Sequence, residues 1–206
     1  MGFGKRGNGL LIVSVLLIIS VFVSGCQPKT PEQLIEGPFA GGSSGLNFAF
    51  QEGEPPATVL DNGQQEFFVT LVVRNSGEYT VPAGSAIASL SGVDADAFGL
   101  SSLNVVSDVE IQGVSKDDAF VISGAEELLE FPVASYVNDI LAGSLSLTLR
   151  SDLCYGYNTQ AITNLCLKKD VLKESIEDVC STNNPSMQVY NSGAPVQVVD
   201  IRQSAV

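Results

Sequence analysis

The stretch DNGQQEFFVTLVVRNSG, residues 61–77, has the pattern of a β-strand between two turns. Its middle part places an apolar side chain at every second position: Phe67, Val69, Leu71 and Val73. Side chains two residues apart point to the same face of a strand, so these four are predicted to face the core. The turn signals Asp61-Asn62-Gly63 and Asn75-Ser76-Gly77 bound the strand. Because Phe68 and Val72 are also apolar, the sequence predicts a strand that is covered on both faces.

Further short apolar or alternating runs follow the same pattern along the chain. They predict strands at residues 46–50, 87–90, 103–111, 127–133, 145–149 and 196–201. Beyond residue 46, the helix candidates are one turn over residues 135–141 and a helix over residues 167–179. Many short strands separated by turns favour a mainly β fold, an antiparallel sandwich, over a parallel α/β sheet.

Residues 61–77 are similar to the second strand of prokaryotic immunoglobulin-like domains of the CARDB type, in which a glycine turn, an alternating strand and Asn-x-Gly follow one another. Residues 196–201 resemble the closing strand of such a domain. The resemblance covers roughly residues 46–150 and this last strand. It implies an extracellular, immunoglobulin-like antiparallel β-sandwich. The cysteine-bearing segment 154–180 departs from the family pattern.

The composition limits the classes of function. Ten Lys plus Arg against 23 Asp plus Glu give a net charge of −13, which disfavours nucleic acid as a partner. The chain has no histidine, so histidine general bases, Ser–His or Cys–His pairs and histidine-containing zinc sites are excluded. We therefore expect no enzyme activity, no cofactor and no metal site.

The first 25 residues have the organisation of a secretory signal peptide. Lys5 and Arg6 precede an uncharged, mostly apolar run over residues 10–23. That run is shorter than the roughly 20 apolar residues that a membrane-spanning helix needs. The sequence therefore predicts a signal peptide at residues 1–25 and export of the chain that follows it.

Val23-Ser24-Gly25-Cys26 resembles the lipobox of prokaryotic lipoproteins, where a peptidase cleaves before the cysteine. The resemblance implies that Cys26 becomes the lipid-bearing N-terminus and holds the protein on a membrane, facing away from the cytoplasm. Residues 26–45 are rich in Pro, Gly and Ser and predict a flexible linker, which leaves residues 46–206 as the β-sandwich domain. The alternative is an N-terminal helix that stays uncleaved and anchors the chain.

The remaining cysteines are Cys154, Cys166 and Cys180. An exported domain favours disulfides over free thiols. Two pairings are open: Cys166 with Cys180, or Cys154 with Cys166 across a hairpin centred on Gln160. A zinc or redox site is disfavoured because no CxxC pair is present.

Two acidic groups lie in loop-like settings, Asp94-Ala95-Asp96 and Lys116-Asp117-Asp118. Neither matches a calcium-binding EF-hand, so both are interpreted as solvated loops. Glu127 and Glu130 are at odd spacing and point to opposite faces of a strand, which disfavours a pair of catalytic carboxylates. Two interpretations are open for the tyrosines, a recognition surface or caps at the ends of the sandwich. These tyrosines are Tyr79, Tyr136, Tyr155 and Tyr157.

These observations predict a lipoprotein of the bacterial or archaeal cell envelope. Its β-sandwich is expected to act outside the cytoplasm as a non-enzymatic module that binds, or is built against, another envelope protein. The alternative is a subunit of an extracellular assembly such as a pilus or a surface layer, held by an uncleaved N-terminal helix.

Overall fold

Residues 61–77 contribute two strands to the computed structural model, which describes residues 37–118, 120–169, 180 and 186–203. The turn before these strands needs positive φ at Asn62 and Gly63, a conformation that Asn and Gly adopt more readily than other residues. In chain order, the strands of the described residues are β1 (Leu46–Phe50), β2 (Glu66–Phe67), β3 (Thr70–Asn75), β4 (Ala86–Ser91), β5 (Asn104–Val106), β6 (Ser115–Asp117), β7 (Phe120–Ile122), β8 (Glu126–Glu130), β9 (Ala134–Ser135), β10 (Arg150–Tyr155), β11 (Ala161–Thr163) and β12 (Val189–Asn191).

Every pair of neighbouring strands in these sheets is antiparallel. One three-stranded sheet has the order β1-β3-β8, and a second has the order β10-β4-β5. Three two-stranded sheets, β2-β9, β6-β7 and β11-β12, complete the described part of the chain. The prediction of a mainly β, antiparallel fold is confirmed.

The hydrophobic core takes residues from both three-stranded sheets. Leu71 and Val73 of β3 and Ala86 and Ala88 of β4 are fully buried. Burial of one Leu or Val side chain contributes roughly 1.5–3 kcal/mol, so this shared core is the main term that holds the two sheets together. All four residues that alternation predicted to face the core are buried: Phe67, Val69, Leu71 and Val73.

The prediction that this strand is covered on both faces is wrong. Phe68 is exposed, and the chain leaves the ladder at residues 68–69. β2 pairs with β9, whereas β3 pairs with β1 and β8. The interruption therefore lets one run of sequence serve two different sheets.

Three other predicted strands are shortened or absent. The run over residues 103–111 is split into β5 and an isolated bridge between Val81 and Ile111. Residues 196–200 are not in a strand, and Ile201 forms only a bridge with Met187. Residues 145–149 precede β10 but have no ladder partner, because β4 ends at Ser91 and the next residue, Gly92, turns with a φ of 84°.

The helical turn predicted over residues 135–141 is also wrong. Ser135 lies in β9, and the carbonyl groups of Tyr136 and Asn138 accept hydrogen bonds from the amides of Gly63 and Asn62. Backbone groups held by the 61–63 turn cannot close a helical turn among themselves. Of the helix predicted over residues 167–179, residues 170–179 lie outside the described residues, as does the signal peptide over residues 1–25.

The described end of the predicted linker, residues 37–45, is bound to the body rather than free. The Glu78 carboxylate accepts hydrogen bonds from the amides of Ala40 and Gly41 at 2.9 and 3.0 Å. The amide of Ser76 donates to the carbonyl of Gly45 at 2.9 Å. The backbone groups of Ala40, Gly41 and Gly45 therefore have hydrogen-bond partners on the body.

Candidate functional site

An open cavity of about 600 Å³, lined mainly by apolar side chains, lies beside the core. Phe67 of β2, Leu90 of β4 and Ala134 of β9 line it together with other core side chains. Two extended segments, residues 55–61 and 143–149, complete its walls. The leucines of the second segment were predicted to lie in a strand; instead they line this cavity.

Aromatic rings are stacked edge to face along one wall. Phe67 contacts Phe98 with ring centroids 6.2 Å apart, and Phe98 contacts Tyr136 at 5.2 Å. Aromatic pairs in this arrangement contribute about 0.5–1.5 kcal/mol each beyond the area they bury. These contacts pack the three rings together on this side of the cavity.

The turn that carries Phe98 contains the acidic pair predicted to be a solvated loop. Asp94 Oδ1 accepts a hydrogen bond from the amide of Ala97 at 2.9 Å, a local bond that shapes the turn. The amide of Ser135 then donates to the carbonyl of Phe98 at 3.0 Å. Asp94 therefore has a structural part in placing an aromatic ring on the cavity wall, and Phe98 was not identified from the sequence. The available signal was an Asp at the start of a turn, three residues before the amide that it binds.

Apolar side chains at the mouth of the cavity stay open to solvent. Leu60, Leu145 and Leu147 are each about half exposed although they line it. Asp61 is the one charged side chain among the described lining residues, and its Oδ2 accepts a hydrogen bond from the amide of Ile140 at 2.8 Å. The arrangement is a hydrophobic recess with a single acidic group at its wall.

Three of the four tyrosines form a second cluster, away from this cavity. The rings of Tyr155 and Tyr79 both contact Tyr157, with centroids 5.9 and 5.4 Å from it. The Tyr157 hydroxyl donates to Asn75 Oδ1 at 3.0 Å, and the Tyr155 hydroxyl donates to the carbonyl of Leu46 at 3.3 Å. Of the two interpretations of the tyrosines, the ring contacts of all three and the hydroxyl hydrogen bonds of Tyr155 and Tyr157 favour a structural role.

Burial raises the pKa of Tyr157 above its ordinary value, and the nearby Tyr155 and Glu78 act in the same direction. A hydrogen bond from the amide of Tyr79 to the phenolic oxygen acts against this shift. The neutral phenol is therefore the form that this environment stabilises.

The disulfide of the described chain joins Cys166 to Cys180, with Cα atoms 5.7 Å apart. It corresponds to the first of the two pairings that the sequence left open. Cys154 is free and exposed. The hairpin centred on Gln160 is wrong, because β10 pairs with β4 and β11 pairs with β12, which places Cys154 opposite Ile87.

The other acidic groups do not assemble into a site. Within the described ranges there is no group of three or more His, Cys, Asp or Glu side chains placed to hold a metal ion. Lys116 lies in β6 and donates to the carbonyl of Gly37 at 2.6 Å. Glu127 and Glu130 occupy opposite faces of β8, as their spacing predicts, while Glu126 pairs with Arg74 at 2.6 Å.

Cys26 and the lipobox-like residues lie outside the described residues. The part of the chain that the structure describes contains no helix both long and apolar enough to cross a membrane. Comparisons with models of known protein families, with curated proteins and with solved structures found no match.

Proposed function

We propose that this protein is a lipid-anchored component of a prokaryotic cell envelope and works outside the cytoplasm as a binding or structural module. The observation that carries the proposal is the N-terminal order of Lys5 and Arg6, an apolar run and Cys26 after two small residues. In this assignment Cys26 carries the lipid. Two or more acyl chains would hold the chain on the membrane, since one chain binds only weakly.

The disulfide in the body is consistent with a location outside the cytoplasm. Disulfides form and persist in oxidising compartments outside the cytoplasm, and Cys166 and Cys180 are joined by one. The net charge of −13 repels anionic headgroups, so attachment to the membrane would come from the lipid rather than from the surface of the body.

We assign the body to the immunoglobulin-like sandwich class. Two three-stranded antiparallel sheets that share one core, and the similarity of residues 61–77 to a CARDB-type strand, support this assignment. The hairpin β6–β7 supports the interaction role, because Phe120, which begins β7, is 77% exposed and the other two residues of β7, Val121 and Ile122, are also exposed. An exposed apolar strand of this kind is a typical contact for a protein partner.

Mass spectrometry of the protein purified from its membrane tests the proposal. The expected mature chain begins at Cys26 and carries diacylglycerol mass on its sulfur, and a Cys26→Ser variant retains its leader and gains no lipid. A Cys154→Ser variant is the matched control and is expected to be processed normally. A wild-type chain that keeps residues 1–25 would overturn the lipoprotein assignment and favour the alternative, a subunit held in an extracellular assembly by an uncleaved helix.

A further inference from the structure

We propose that the cavity between residues 55–61 and 143–149 binds a small apolar molecule that carries no negative charge. This proposal concerns the body alone and is independent of how the chain is anchored. It rests on three properties of the cavity: its size, its walls and the charge at its wall.

The size of the cavity is that of a small-molecule site. Its volume is about 600 Å³. Pockets that bind organic ligands span roughly 300–1,000 Å³ and are lined mainly by apolar and aromatic side chains. The recess is thus large enough for a molecule of two or three fused or linked rings.

The walls favour an apolar occupant. The aromatic series from Phe67 to Tyr136 offers ring faces and edges along one side. Leu145 and Leu147 also line the cavity and remain half exposed. A bound apolar molecule would remove these leucines from water, which is the favourable term for its binding.

The charge at the wall selects against anions. Asp61 is the one charged side chain among the described lining residues. The body around it is acidic, with 23 Asp plus Glu against 10 Lys plus Arg in the chain. An anionic ligand would meet the Asp61 carboxylate and no cationic side chain among the described lining residues, so we infer a neutral or cationic ligand.

A matched pair of dyes tests both parts of the proposal. N-phenylnaphthylamine is neutral, and anilinonaphthalenesulfonate has the same rings with a negative charge. Both fluoresce strongly in apolar sites. The full-length protein is held in lipid nanodiscs, and the signal of empty nanodiscs is subtracted. We expect the neutral dye to bind at least about tenfold more tightly than the sulfonated dye.

Glutamate variants locate the dye. Leu147→Glu and Leu60→Glu each place a charge in one of the two segments that line the cavity, at half-exposed positions that tolerate it. Each variant is expected to weaken binding of the neutral dye by about tenfold or more. Leu141→Glu is the matched control, since Leu141 is 93% exposed and is not part of the lining. Thermal unfolding of each variant checks that the body is folded. The Asp61→Asn variant lacks the carboxylate that repels the sulfonate. The affinities of the two dyes are therefore expected to differ less for this variant than for wild type.

Several results would overturn the proposal. One is the absence of saturable binding of the neutral dye to the wild-type protein. Another is equal binding in wild type, Leu147→Glu and Leu60→Glu when at least one variant is folded, which would place the dye elsewhere. Equal affinity for the two dyes would contradict the selection against negative charge.

Discussion

The hydroxyl group of Tyr157 joins parts of the chain that are far apart in sequence. It donates to Asn75 Oδ1, and it accepts a hydrogen bond from the amide of Tyr79. The orientation of the Asn75 amide is set by its other bonds, because its Nδ2 donates to the carbonyls of Tyr79 and Ile111. Asn75 Oδ1 can therefore only accept, and an ionised Tyr157 would face it without a proton to donate.

This geometry predicts a loss of stability at alkaline pH. The pKa of Tyr157 is raised in the folded protein, chiefly by burial, so the unfolded chain releases this proton first as the pH rises. The free energy of unfolding therefore falls above about pH 10, the ordinary pKa of tyrosine, and this contribution is fully present below that pH. Urea unfolding of wild type and Tyr157→Phe at about pH 8 and about pH 11 measures it.

The Tyr157→Phe variant lacks this titration, so its stability is expected to fall less than that of wild type between the two pH values. Tyr190→Phe is the control, because Tyr190 does not belong to this cluster of tyrosine rings. If the free energy of unfolding depended on pH identically in wild type and Tyr157→Phe, the prediction would be contradicted.

At the scale of elements, one carboxylate connects three segments. Glu78 Oε2 accepts hydrogen bonds from the amides of Gly41 and Gly193, and its Oε1 accepts one from Ala40. The segments cross closely at this point, since a Cβ added to Gly77 would lie 2.6 Å from the carbonyl oxygen of Gly193. Glu78 thus holds the chain that enters the body against the segment that follows β12.

Replacing this carboxylate is expected to destabilise the body. Glu78→Gln keeps one oxygen but loses the charge and an acceptor, and it turns an NH₂ group toward amides that also donate. We expect a loss of about 1.5–3 kcal/mol, the range for hydrogen bonds to a charged group. Urea unfolding of the full-length protein in detergent measures this loss. The matched control is Glu126→Gln, whose ion pair with Arg74 is exposed and is expected to be worth less than about 1 kcal/mol. Equal losses in the two variants would contradict the role given to Glu78.

For the molecule as a whole, alternation over residues 67–73 predicted the core-facing residues of that run, but it did not predict where strands end or are absent. The burial of Leu71 and Val73 follows from a period of two, which is a local property. The absence of a strand over residues 145–149 does not, because it depends on Gly92 ending the neighbouring strand far away in sequence. The cavity arises from that same unpaired segment, so neither the cavity nor Phe98 on its wall could be predicted from local pattern alone.

The disulfide is expected to stabilise the folded protein by linking two residues that are separated in sequence. Cys166 and Cys180 are separated by 14 residues, and in the chain-entropy model the closure of a loop of this length contributes about 3 kcal/mol through the unfolded state. Reduction is therefore expected to lower the free energy of unfolding by about this amount in wild type. Urea unfolding with and without dithiothreitol measures the effect.

A Cys166→Ser/Cys180→Ser variant is expected to be as unstable as reduced wild type and to be insensitive to dithiothreitol. Cys154→Ser is the control that should behave as wild type, since Cys154 is free and exposed. The urea midpoint of wild type could instead stay the same on reduction. That result would contradict the prediction and would mean that the segment closed by the disulfide unfolds separately from the core. In that case the disulfide would stabilise only this segment. A disulfide restricts the unfolded chain only within the loop that it closes, so it affects only the transition in which that loop unfolds.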